Sequence, residues 1–191
     1  MSSILAVIFI MLVAAITPGP NNLVVLRAAA RGGARAAIPA VVGIVTGGLV
    51  LLGIVVAGAG AVFAVEPGLR IAVTIGGCGY LSWLGLRLIR GASEKAAEAA
   101  RHEGALALFG FQFLNPKAWM MVLTTTAADA NIALWQLAAV FVIVPFACLA
   151  LWAGCGAALT GYLARPRAAA RFDRAMGVLL VVSAIGLALS A

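Results

Sequence analysis

The sequence predicts an all-α membrane protein of about six transmembrane helices, built as two inverted-topology repeats of three. Three observations carry that expectation. Of 191 residues, 64% are hydrophobic and only 10% charged, whereas a water-soluble domain carries about a quarter charged residues to cover its surface. Six apolar blocks approach the ~20 residues that a helix needs to cross hydrocarbon. The first block of each half is interrupted by a proline motif, Thr17-Pro18-Gly19-Pro20-Asn21-Asn22 in one and Asn115-Pro116-Lys117 in the other.

The blocks follow in order. The first runs over Ile4–Leu26, and no Lys or Arg precedes it, so a retained helix is expected rather than a cleaved secretory signal. The second is Ile38–Val65. The third, Leu69–Leu88, is bounded by Arg70 and Arg87, about 25 Å apart along a helix, and both arginines can snorkel to an interface. These three form repeat one, residues 1–90. The stretch 91–104, Gly91 to Gly104, carries Glu94, Glu98, Glu103 and the single histidine, His102; it reads as a solvated cytoplasmic linker. Repeat two, residues 105–191, holds Ala105–Ala128, Ile132–Ala157 and Ala175–Ser190, the last near the lower length limit. The whole is one transmembrane domain. Gly43 and Gly47 form a GxxxG, and Gly76, Gly77 and Gly79 crowd the third span; tight packing of helices within the chain is the expected use.

The formal charge is +7. Its distribution argues against nucleic acid as a partner, because no basic face with stacking aromatics is visible. The bases cluster instead between apolar blocks: Arg27, Arg31 and Arg35; Arg87, Arg90, Lys95 and Arg101; Arg165, Arg167, Arg171 and Arg174. The second connection holds only Arg70 with Glu66, and the fourth only the acid Asp129. The positive-inside rule then makes the odd-numbered connections cytoplasmic and places both termini outside. Cys78, Cys148 and Cys155 lie inside apolar blocks without metal-ligand spacing or histidine partners, so neither metal nor cofactor is expected.

The two proline motifs carry the functional expectation. Proline removes a backbone donor and clashes with the preceding turn, so neither helix is expected to run through its motif. Unwound backbone at membrane depth is tolerated only where it is buried in protein or lines a wet cavity. Both motifs also read as helix starts, with a Thr, Gly or Asn cap and proline at the first helical position. Inverted repeats would bring two half-helix amino ends to the midplane from opposite directions, where their dipoles favour an anion. The expected substrate site is therefore Thr17, Pro18, Gly19, Pro20, Asn21, Asn22, Gln112, Asn115, Pro116 and Lys117. Its N–H groups and Lys117 suit a carboxylate; Asn21, Asn22, Asn115 and freed carbonyls suit an ammonium.

At these residues the sequence resembles the LysE/RhtB superfamily of bacterial amino-acid exporters, over nearly its whole length. Thr17-Pro18-Gly19-Pro20-Asn21, Gly32, Arg35, the stretch Gly79-Tyr80-Leu81-Ser82-Trp83-Leu84-Gly85, Asn115-Pro116-Lys117 and Gly177 carry the resemblance. It implies efflux of amino acids or related small metabolites across the bacterial cytoplasmic membrane, driven by the proton gradient. Thr17 to Asn22 together with Phe111-Gln112-Phe113 is most similar to the branch exporting cysteine-type and other neutral amino acids. Many members of that family carry an aspartate after the second-span glycines, where this chain has Gly43-Ile-Val-Thr-Gly47-Gly48. No Asp or Glu lies deep in any predicted span, which ranks neutral substrates above basic ones and leaves Lys117 as the candidate proton carrier.

Three other classes compete. A membrane thiol–disulfide relay of similar topology needs a cysteine beside each proline, where Asn21 and Asn115 stand. A hydrolase needs a nucleophile with a nearby base, yet the one histidine falls in the linker. A non-transporting scaffold has no use for two costly polar breaks. A transporter rather than an enzyme is expected.

Overall fold

The computed structural model describes residues 3–90, 94–128 and 132–189, and all its elements are helical. The first apolar block is two helices: α1 (Ser3–Ile16) and α2 (Pro20–Gly32), bent by 58°. The cause is local. Pro18 and Pro20 lack the N–H groups that would continue the ladder to Ala14 and Ile16. Next come a 3-10 turn at Ala34–Ala37, α3 (Ile38–Ile54), a π turn at Val55–Ala59, and α4 (Gly60–Val65). Gly58 stands at φ 116° in the π turn, a conformation that favours glycine. The remaining helices are α5 (Pro67–Ile89), α6 (Glu94–Leu114), α7 (Pro116–Ala128), α8 (Leu134–Ala158), the short α9 (Thr160–Leu163) and α10 (Pro166–Leu189).

Among the described residues, four helical segments are long and apolar enough to cross a membrane: Ala34–Val65, Pro67–Ile89, Leu134–Ala158 and Pro166–Leu189. Counting the bent α1–α2 pair as one span makes five. The expected fourth span, Ala105–Ala128, is divided at Asn115, and its apolar first part is the shorter Gly104–Leu114. The expected linker is also mostly helix, since α6 begins at Glu94 in an Ala- and Glu-rich stretch of strong helix formers. Residues 91–93 of that linker and the acid Asp129 lie outside the described residues. The sixth helix begins at Pro166 rather than Ala175, so Arg167, Arg171 and Arg174 stand on α10 itself. Apolarity marks the part of a helix that tolerates hydrocarbon; helix-starting prolines mark where it begins.

Outward faces are apolar. Phe9, Ile75, Trp135 and Ile143 are each more than 60% exposed, as a surface solvated by lipid requires. Inside, α5 packs on α10, α3 on α6, α2 on α8, and α1 on α8. Small residues set those distances. A Cβ on Gly43 would stand 2.1 Å from the Ala105 carbonyl oxygen, and one on Gly47 2.7 Å from that of Phe109. The GxxxG is thus spent on α6 of the same chain.

One further contact orders the molecule. Arg27 Nε donates to Asp173 Oδ1 at 2.9 Å, and an Arg31 guanidinium nitrogen lies 3.7 Å from Asp173 Oδ2. The basic clusters of the first and fifth connections therefore meet at one end of the bundle.

Candidate functional site

Broken helices leave carbonyls without their intrahelical donors, and buried carbonyls need replacements. At the first break side chains supply three of them. Gly19 has left the ladder, and Asn22 Nδ2 donates to its former partner, the Ala15 carbonyl, at 3.0 Å. The same amide reaches the Thr17 carbonyl at 2.9 Å. Pro20 has no N–H for Ile16, whose carbonyl accepts from Trp152 Nε1 of α8 at 3.4 Å. The Thr17 carbonyl also accepts from Lys117 Nζ at 3.0 Å.

The second break is handled alike. Lys117 N–H, which would have bonded Phe113 in a continuous helix, donates to the Asn115 side chain at 3.1 Å and so caps α7. Trp119 Nε1 takes over the Phe113 carbonyl at 2.9 Å. Trp119 is itself held by a face-to-face stack on Phe63, with ring centroids 4.3 Å apart.

Between the breaks, Asn21 and Gln112 form a reciprocal amide pair. Asn21 Nδ2 donates to Gln112 Oε1 at 3.0 Å, and Gln112 Nε2 donates to Asn21 Oδ1 at 3.3 Å. Gln112 Nε2 also donates to the Leu108 carbonyl within α6. Gln112 and Asn115 are only 2% exposed and Asn22 4%. Every buried side-chain polar atom among the described residues has a partner.

These groups enclose a cavity of about 60 Å³, room for a few waters or a small polar headgroup. Gly19, Pro20, Asn21, Asn22, Gln112, Asn115 and Lys117 line it. Thr17, Pro18 and Pro116 do not. Thr17 contributes its backbone carbonyl to Lys117 while its hydroxyl turns back to Val13; Pro18 is exposed; Pro116 opens α7. Gly19 has a steric role, since a Cβ there would stand 3.1 Å from Lys117 Nζ.

Among the described residues, Lys117 is the one charged residue on the cavity wall. Sequence reasoning placed it as an open anion ligand. In this structure its ammonium also rests on the carbonyl end of α1, where the helix dipole is negative. The middles of two other helices complete the wall: Ile44, Val45 and Gly48 from α3, and Phe141, Pro145 and Leu149 from α8. The sequence reading missed these, although Pro145 inside an otherwise apolar helix was a signal. It removes the N–H that would have bonded the Phe141 carbonyl, and both residues border the cavity. No cysteine lines the site; Cys78 is half-buried, Cys148 buried and Cys155 exposed, all three as free thiols.

The sequence pattern described as LysE type translocator matches residues 12–191. The cysteine/O-acetylserine efflux protein of Salmonella choleraesuis is 33% identical over 108 residues, which is 56% of this chain and 54% of that protein. The threonine efflux protein of Escherichia coli is 32% identical over 123 residues, 60% of each. An uncharacterized membrane protein of Pseudomonas aeruginosa is 35% identical over 92 residues, 48% of this chain and 41% of that one. The chain spans a little over half the length of the curated efflux proteins it matches. No solved structure matches it.

Proposed function

The chain belongs to the LysE type translocator family, a family of transporters rather than enzymes, and from that premise we propose that it is a secondary active exporter of small neutral amino acids. The carrying observation is the cavity where the two proline breaks converge. Among the described residues its wall offers one cation, Lys117, several amides and helix-end backbone, and no Asp or Glu. A zwitterion needs both a cation for its carboxylate and acceptors for its ammonium; a basic side chain would need an acid as well. The efflux proteins similar to this chain are named for threonine and for cysteine and O-acetylserine, which are small and carry no net side-chain charge.

Counting α6–α7 as a second broken span gives six, in two inverted halves exchanging α1 with α6, α2 with α7, α3 with α8 and α5 with α10. The packing supports this. Contact of α3 with α6 is mirrored by α8 with α1, and α5 meets its own counterpart α10. There a Cβ on Gly85 would lie 2.6 Å from the Gly177 carbonyl oxygen, and one on Gly177 2.5 Å from that of Gly85. Alternating access would then open the cavity to either side by moving one half against the other. In this proposal the protein works in the bacterial cytoplasmic membrane, with the odd-numbered connections inside, both termini outside and the proton gradient as driving force.

Efflux from cells loaded with dipeptides of threonine, alanine, cysteine or lysine tests the reading. Cells with the chain should lose the neutral amino acids faster than cells without it and retain lysine equally. A protonophore should abolish the difference. Lys117→Met and Asn115→Ala should each reduce export at least tenfold; export as fast as the parent's by both would remove this cavity from the transport path.

A further inference from the structure

Among the described residues, the basic end of the molecule holds more charge than its contacts use. Asp173 is already engaged with Arg27 and Arg31. Close by in sequence, Arg165, Arg167 and Arg171 line an open groove together with Tyr162. All three arginines are exposed, and among the described residues none has an ion-pair partner.

The groove continues into an apolar track. Arg167 and Arg171 are one turn apart on α10, and Arg171, Ala175, Val178, Val182 and Ile185 follow at steps of four and three, which keeps them on one side of the helix. That side is uncovered: Val178 is 49% exposed, Val182 56% and Ile185 54%. From Arg171 to Ile185 the helix rises about 21 Å, more than the ~15 Å of hydrocarbon in one leaflet. Tyr162, 59% exposed, sits beside the arginines, where an aromatic ring with a polar tip suits the headgroup level.

A soluble anion would use only the arginines, and a neutral lipid only the track. We infer that the groove of Arg165, Arg167 and Arg171 and the outer face of α10 form a binding site for an anionic phospholipid. The phosphate takes the guanidinium forks, which match its oxygens in pairs, and an acyl chain lies along Val178, Val182 and Ile185. This site is separate from the cavity and does not depend on the transported substrate.

Native mass spectrometry of the purified full chain with phosphatidylglycerol or phosphatidylcholine tests it. The groove variant R165Q/R167Q/R171Q is compared with R35Q/R70Q/R90Q, which removes the same charge from exposed arginines elsewhere. At about fivefold per arginine, the groove variant should bind phosphatidylglycerol on the order of 100-fold more weakly than the parent. The control should match the parent, and phosphatidylcholine should bind all three proteins alike. R171Q alone should lose about fivefold, which keeps the test available if the triple variant does not purify. Equal loss of phosphatidylglycerol by the groove and control variants, or phosphatidylcholine held as firmly as phosphatidylglycerol, would overturn the site. So would displacement of the lipid by millimolar inorganic phosphate, since a soluble anion would then be the ligand.

Discussion

The carbonyls of Ala15, Ile16, Thr17 and Phe113, freed where the two helices break, each meet a named donor: Asn22, Trp152, Lys117 or Trp119. The breaks are thereby fixed rather than loose, and the Asn21–Gln112 pair ties one to the other. Neither amide can be removed without stranding polar atoms of its partner in the cavity wall, which costs about 1–3 kcal/mol. Asn21→Ala and Gln112→Leu should each lower the thermal midpoint in detergent. The double variant should lose less than the sum, with a coupling of about 1 kcal/mol; strict additivity would mean that the pair contributes nothing. The motifs themselves were legible, because proline, asparagine and lysine stand out in apolar blocks. The indole donors were not. A Trp N–H suits many places on an apolar helix, and which carbonyl it meets depends on how α8 and α7 pack.

Packing between helices has no hydrophobic driving force in lipid, so close approach and dispersion decide it. Glycines with identical side chains then have opposite value. A Cβ on Gly156 would stand 2.2 Å from the Leu26 carbonyl oxygen, where α8 crosses α2, whereas one on Gly79 meets nothing within 4 Å. Gly156→Ala must push two helices apart and should cost about 1–3 kcal/mol. Gly79→Ala lies within α5 and should gain up to about 1 kcal/mol from helix propensity. Thermal unfolding of the two variants reads the signs, and shifts in the same direction would contradict the packing. The sequence offered both glycines on equal terms, since spacing cannot distinguish an interhelical contact from a lipid-facing gap. Helix ends escaped it for a related reason. Pro67, Glu94 and Pro166 start α5, α6 and α10 before the apolar run begins, because a helix can leave the membrane and remain a helix.

For the molecule as a whole, the proposed orientation rests on where the charge collects. Arg27 and Arg31 meet Asp173 across the bundle, so the first and fifth connections share an end, as alternation under the positive-inside rule requires. Alternation also places the second connection, between α4 and α5, at the opposite end. Gly68 and Gly161 suit a test because both are exposed and a Cβ at either meets nothing within 4 Å. In a chain lacking Cys78, Cys148 and Cys155, Gly68→Cys should react with a membrane-impermeant maleimide in intact cells. Gly161→Cys should react only after the cytoplasmic membrane is permeabilised. Labelling of both in intact cells would place the two connections on one side and break the alternation. The proposed inverted relation of the two halves would then fail, and with it the proposed approach of the two proline breaks from opposite faces of the membrane.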